Sequence, residues 1–258
     1  MLLGISVDVS DCTKMQPLIE KYTHLIKHIQ IYLDNSPFDV NLHTISKMPH
    51  NNKSYSFHAY GNLNITDTND YNHAIQTVDM LSSIGGTFVN FHVGCCNLNE
   101  QSRNMALERV IESTANLCMY AYKKGIEIHM ENDIRSKIGC EKLGTTLYDW
   151  SHIFQIGQPN FHMCYDIGHA NISFGDAFVF RQLMQKIGSF HIHNNDGIND
   201  LHIPFGNSGM IPLEDVLSEL YQSNKYVILE SEFDEYDNAL HHLSNLYNAI
   251  CIINLYNA

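Results

Sequence analysis

Eight short runs of β-type residues recur along the chain with amphipathic stretches between them, and few architectures accommodate that alternation. The runs are LLGISVDV (2–9), HIQIYL (28–33), SYSFHAY (54–60), TFVNFHVG (87–94), IEIHMEN (126–132), FHMCYDI (161–167), SFHIHNN (189–195) and YVILESE (226–232). Each carries β-branched or aromatic residues and is bounded by Gly, Asn, Asp or Lys. Between them, KMQPLIEKYTHLIK (14–27), NHAIQTVDMLSSIG (72–85) and the long stretch 99–125 place apolar residues at three- and four-residue steps, the helical period. The long stretch ends in Lys-Lys-Gly, a helix stop signal. TTLYDWSHIFQIG (145–157), DAFVFRQLMQKIG (176–188), PLEDVLSELYQSN (212–224) and NALHHLSNLYNAICII (238–253) complete the set. SPFDVNLHTISKM (36–48) has the weakest helical pattern.

Strands that alternate with helices make a parallel sheet. Eight such units in 258 residues predict a single (β/α)8 barrel over residues 1–258, with a doubly wound open sheet as the alternative. Neither GxGxxG nor GxxxxGK[ST] occurs, which weighs against a nucleotide-phosphate loop. Fifteen Lys and Arg against 28 Asp and Glu give a formal charge of −13, unfavourable for non-specific contact with nucleic acid or anionic lipid. Bound metal ions would still let such a chain hold a phosphorylated ligand. The seven cysteines (Cys12, Cys95, Cys96, Cys118, Cys140, Cys164, Cys251) show no CxxC spacing and suit reduced thiols in a cytoplasmic protein. No run is long enough to cross a membrane, and the opening MLLGISVDV reads as a strand, without the basic and apolar regions of a signal peptide.

In a barrel the C-terminal ends of the strands converge on one face, where active sites sit. The third run carries His58 near its end, the fourth His92, and the fifth ends in Glu131 and Asn132. The sixth carries Asp166, with His169 just beyond, and the seventh His191 and His193. Asp200 and His202 follow in the next loop, and Glu230 lies near the end of the eighth. One histidine at a strand end is usually a hydrogen-bonded loop residue, and one carboxylate usually a helix cap. Six consecutive strands ending in imidazole or carboxylate would crowd charge beside the core at a large desolvation and repulsion cost unless divalent cations offset it. Mixed imidazole and carboxylate ligands suit zinc, manganese, iron or cobalt and argue against calcium or a thiolate site. Cys164 shares the inward parity of Asp166 but lies deeper, as a packing residue, and Cys95 and Cys96 read as loop residues.

Four segments, CYDIGHA (164–170), HIHNNDG (191–197), DLHIPFG (200–206) and VILESE (227–232), resemble the xylose isomerase-like TIM barrels, a group that includes sugar isomerases, sugar epimerases and endonuclease IV. The resemblance spans nearly the whole chain. It implies one divalent metal, zinc or manganese, held by Glu131, Asp166, His191 and Glu230, with Glu131 and Glu230 as the proton-transferring pair. Under the endonuclease pattern it implies up to three zinc ions: His58, His92 and Glu131 for the first, Asp166, His191 and Glu230 for the second, and His169, Asp200 and His202 for the third. His191 matches the family's strand-seven ligand, and His193 has the same inward parity. The spacing of Gly206 and Gly209 departs from the endonuclease pattern.

A nuclease needs Lys, Arg and stacking aromatics around its mouth. The strand-to-helix loops are acidic instead, most of all SEFDEYDN (231–238). The expectation is therefore a sugar or sugar-phosphate isomerase or epimerase with a small carbohydrate substrate, and an abasic-site endonuclease as the alternative, the only one with a nucleic-acid partner. His193, Asn132 and Tyr60 are candidate substrate contacts, and Arg135 and Lys137 the candidate phosphate contacts. Asp196 and Gly197 are read as shaping the turn after the seventh strand.

Overall fold

The computed structural model describes residues 1–34, 38–46, 48, 53–61, 63–96, 100–135, 141–204 and 209–256. Lys137 and Cys140 lie outside them. Eight parallel strands close a barrel: β1 (Leu2–Asp8), β2 (His28–Tyr32), β3 (Ser54–His58), β4 (Phe88–His92), β6 (Glu127–Glu131), β8 (Phe161–Asp166), β9 (Ile187–Ile192) and β10 (Tyr226–Leu229). Neighbours around the barrel run β1-β10-β9-β8-β6-β4-β3-β2. Two short strands, β5 (Cys95–Cys96) and β7 (Glu141–Lys142), pair antiparallel outside it and clip together the loops that follow β4 and β6.

Helices α1 (Cys12–Lys21), α2 (Phe38–Ile45), α3 (Thr68–Ser83), α4 (Glu100–Tyr122), α5 (Leu147–Ile153), α6 (Ile167–Ser173), α7 (Phe180–Leu183), α8 (Leu213–Leu220) and α9 (Tyr236–Tyr256) connect the strands. None among the described residues is long and apolar enough to cross a membrane. Helix α2 forms where the periodicity is weakest. Helix α3 starts four residues ahead of the apolar pattern because Asp67 accepts from the amides of Asn69 and Asp70 at 2.8 and 3.3 Å. Helix α1 stops at Lys21, six residues short of the periodic stretch, because Tyr22, Leu25 and Ile26 turn into the core ahead of β2. The stretch 176–188 yields only a single-turn 3-10 helix and α7 before β9 begins at Ile187.

Strand residues of one parity are apolar: Ile29, Ile31, Phe57, Val89, Phe91, Ile128, Met130, Tyr165, Phe190 and Ile192 are buried and belong to the continuous core. This burial on both faces is what a parallel barrel demands. The other parity fills the lumen with polar groups, among them His28, Gln30, Ser56, Asn90, His129, Ser189 and His191, all fully buried. Ring stacking of His28 and His129 on opposite sides of Phe88 joins β2, β4 and β6 across the interior. The register staggers, so His92 is level with Glu131, Glu131 with Cys164, and Asp166 with His191. That stagger brings ligand-type residues to one mouth.

Candidate metal centre

Glu131, at the end of β6, sits at the middle of the mouth with its side chain only 2% exposed. Its Oε2 lies 3.0 Å from His58 Nε2, 2.5 Å from Asn90 Nδ2 and 3.3 Å from His191 Nδ1. Its Oε1 lies 3.3 Å from His169 Nδ1. His191 Nδ1 is also 3.1 Å from Glu230 Oε1 and 3.9 Å from Asp166 Oδ2. So Glu131, Asp166, His191 and Glu230 converge as the sequence implied. His193, one residue past β9, places Nε2 3.1 Å from both Asp166 oxygens. Its ring stacks on His202 at 3.9 Å.

The third group converges too. His169 Nε2 is 3.2 Å from Asp200 Oδ2, and His202 Nε2 is 3.4 Å from Asp200 Oδ1. Ligand-type atoms of His169, His193, Asp200 and His202 all lie within 4.8 Å of one another, as do those of His58, Glu131 and His191. His92 stands apart from these sets: its Nδ1 faces Asp133 Oδ2 at 3.1 Å, and Lys142 Nζ bonds the other Asp133 oxygen at 2.7 Å.

The local backbone is built around this arrangement. Asp166 caps α6, its Oδ1 accepting from the His169 amide at 2.6 Å, which orients both residues. Gly168 leaves room for His193; an added Cβ would lie 2.1 Å from His193 Cε1. His202 has φ +45°, the left-handed region that favours glycine, a strain held where Asn194 and Ile203 pair backbone to backbone. In the intervening turn Asp196 accepts from the amides of Ile198 and Asn199 at 2.9 and 2.7 Å, and Gly197 has φ +76°. That turn matches the sequence reading.

The donor orientations fit a divalent cation. His58 Nδ1 bonds the Ala59 carbonyl at 2.6 Å and His169 Nδ1 the Asn132 carbonyl at 2.8 Å. Each Nδ1–H donates to its carbonyl, which leaves the Nε2 lone pair directed into the cluster, the arrangement that metal-ligating histidines adopt. Both nitrogens of buried His191 lack a properly aligned hydrogen bond, although carboxylate oxygens lie 3.1 and 3.3 Å from Nδ1. The distances make ion pairs, and the misalignment suits a shared ion better than a shared proton.

Electrostatics agree. Burial opposes protonation of His92, His169, His191 and His202, but neighbours outweigh it and hold each above the usual histidine range: carboxylates for His92, His169 and His202, the last at about 9, and for His191 the Cys164 sulfur ahead of Glu230 and Glu131. Burial pushes Glu131, Asp166 and Asp200 up, and the neighbouring histidines pull them below the ordinary carboxylate range. Asp133 is held at about 2, burial being outweighed by His92 and then by His169 and Lys142. Without a cation the mouth would take up protons in its place.

Above the cluster opens a cavity of about 560 Å³, lined by His58, His92, Glu131, His169, Asp200, His202 and Glu230 on one side and by residues of the β1 and β10 loops on the other. Other expected contacts fall elsewhere. The Asn132 side chain bridges strands, donating to the Asp166 carbonyl at 2.9 Å and accepting from its amide at 2.8 Å, so it braces two ligands rather than facing the cavity. Tyr60 lies two residues past the end of β3, donates to Asp70 at 3.0 Å and lines a separate small crevice. Arg135 is exposed and does not line this cavity; it lines two neighbouring grooves, one of which shares Lys142 and Asp200 with it. Cys164 is fully buried beneath the site, where burial pushes its thiol up to about 11. Sequence reasoning missed Asn90, two residues before His92 on the inward parity, and Asp133, Lys142 and Asp8, whose roles depend on loop placement.

A family model described as xylose isomerase-like TIM barrel matches residues 14–246. No curated protein matches the chain in sequence. Among solved structures, a D-tagatose 3-epimerase-like protein is 20% identical with a TM-score of 0.78 over 100% of both chains. A Thermus thermophilus protein soaked with zinc chloride is 17% identical, TM-score 0.74, covering 97% of this chain and 98% of its own. An L-ribulose 3-epimerase is 17% identical, TM-score 0.70, over 98% of both.

Proposed function

The chain belongs to the xylose isomerase-like TIM barrel family, and from that membership and its mouth geometry we propose a divalent-metal-dependent isomerase or epimerase acting on sugars. The observation that carries this reading is the pair Glu131 and Glu230, which face the same His191 Nδ1 at 3.3 and 3.1 Å and both line the cavity. Two of the structural relatives carry an epimerase name, at identities that speak to the fold alone. Glu131, Asp166, His191 and Glu230 would hold zinc or manganese. When bound, the ion supplies Lewis acidity that polarises the oxygens of a hydroxyketone.

One glutamate removes the proton from the carbon beside the carbonyl, giving an enediolate, and the other returns a proton at the same or the adjacent carbon. Asn90 and His58 hold Glu131 Oε2 in place, while Glu230 is met by His191 on one oxygen and, at 3.7 Å, by His202 on the other. The two carboxylates therefore differ in freedom. Glu230, with 12% of its side chain exposed, is the more accessible to substrate.

A zinc phosphodiesterase acting on DNA at abasic sites is the second reading, favoured by the convergence of His169, Asp200 and His202 into a further ligand set. Metal analysis with two assays separates them. The isomerase reading predicts interconversion of ketoses, free or phosphorylated, that is lost on chelation. About three zinc ions per chain, with incision of abasic-site DNA abolished by His169→Ala and no ketose turnover, would replace it.

A further inference from the structure

The cavity has two unlike walls. Opposite the ligand cluster, Asp8 at the end of β1 and Glu232 and Phe233 after β10 face the same space. Burial pushes the Asp8 carboxyl up, and Asp11, Glu232, Glu230 and Asp34 push it further. Among the described residues Lys14 pairs with Asp11, 2.5 Å away, and also lies 5.8 Å from the centre of the exposed Phe233 ring. Lys142, the one lysine among the described lining residues, is bonded to Asp133 across the cavity. Arg135 lies in a groove that adjoins the cavity at Lys142 and Asp200, on the side away from Asp8 and Glu232.

A ligand held at the cluster can extend its remote end to this wall. A terminal phosphate there would meet two carboxylates with no basic partner among the described residues, and each would repel it. Hydroxyl groups would instead donate to Asp8 and Glu232 and present C–H faces to Phe233, which is the chemistry that recognises an uncharged polyol. Resting on the isomerase reading, we infer that the substrate is an unphosphorylated sugar and that Asp8 and Glu232 are the residues that exclude its phosphate ester.

Binding to the zinc-loaded protein, followed by NMR titration, tests this with D-tagatose and D-fructose against their 6-phosphates, in the wild type, Asp8→Asn, Glu232→Gln and the double variant. The free sugars should bind at least tenfold more tightly than the esters, and the double variant should narrow that ratio by about tenfold. Esters that bind as tightly as the free sugars, a ratio unmoved by the substitutions, or no binding of either free sugar would overturn the inference. Hydrogen exchange beside the carbonyl is read in parallel. Discriminating binding without exchange removes the isomerase reading alone, and turnover confined to the esters removes this one alone.

Discussion

The barrel lumen buries histidines at both ends, and the surroundings shift His28 and His129 at one end and His169 and His191 at the other in opposite directions. At the floor, His28 is hydrogen-bonded to Ser54 and Ser56 at 2.7 Å each. His129 meets Ser189 at 2.8 Å and Glu127 at 3.2 Å. Phe88 lies between the rings, stacked at 5.3 Å on His28 and 4.0 Å on His129. Burial lowers these histidines to about 3 and about 4, and the lone Glu127 partner does not reverse it for His129. At the mouth, equally buried His169, beside Asp166, Asp200 and Glu131, and His191, beside Cys164, Glu230 and Glu131, shift upward. The residue type is the same; hydroxyl and aromatic partners make structure at one end, and anionic partners gather a candidate cation site at the other.

The sharpest break between the two ends is catalytic. Glu230→Gln should lower turnover at least about a thousandfold by removing one proton carrier, whereas His129→Gln should change it less than about threefold while costing about 2 kcal/mol of stability. Steady-state kinetics beside urea denaturation compares them. If His129→Gln proved as inactive as Glu230→Gln while still folded, the floor would belong to the chemistry.

Acid should separate the ends next. The floor histidines have folded pKa values depressed below the unfolded 6.5, so the unfolded chain binds more protons and their contribution is intact above pH 6.5. It falls as pH drops from 6.5 toward 3, by about 3 kcal/mol for His129 and about 5 kcal/mol for His28, and levels off once the folded groups protonate. In the metal-free protein the mouth histidines act oppositely: raised folded values stabilise below pH 6.5, and that stability is lost as pH rises through the folded pKa, about 9 for His202. Zinc should therefore expel protons at pH 7, and its apparent affinity should climb with pH. Calorimetry in buffers of different ionisation enthalpy reads the release; binding without proton release would mean the mouth histidines are already neutral.

Gly168→Ala should cost about 1–3 kcal/mol, because the new methyl must displace the His193 ring, and should weaken metal binding with it. Tyr60→Phe marks the small end of the scale. It removes a rim hydrogen bond to Asp70 and should leave turnover within about twofold.

The alternation of strands and helices and the ligand-type residues at strand ends are local patterns, so both were legible in the sequence. Depth along a strand was not. His129 and Glu131 share a parity and a strand, yet two residues separate a floor group from the central carboxylate. His191 and His193 likewise share parity, and only the end of β9 at Ile192, with Gly168 beneath the second ring, distinguishes the deeper one from the one facing Asp166. Asp133 and Lys142 come together because β5 and β7 pair across two loops, a non-local contact with no periodic signature. Tyr60 was drawn into the expected site by adjacency to His58, but β3 ends at His58, so strand alternation no longer sets its direction, and its bond to Asp70 turns it away.

The central claim is that this mouth moves a proton at a carbon beside a sugar carbonyl. Incubating the zinc- or manganese-loaded protein with free ketoses in deuterium oxide and reading the recovered sugar by NMR tests it directly. The account predicts deuterium at that one carbon, its loss on chelation and return on reloading, and none with Glu230→Gln. Ketoses recovered without deuterium from fully loaded protein would contradict it.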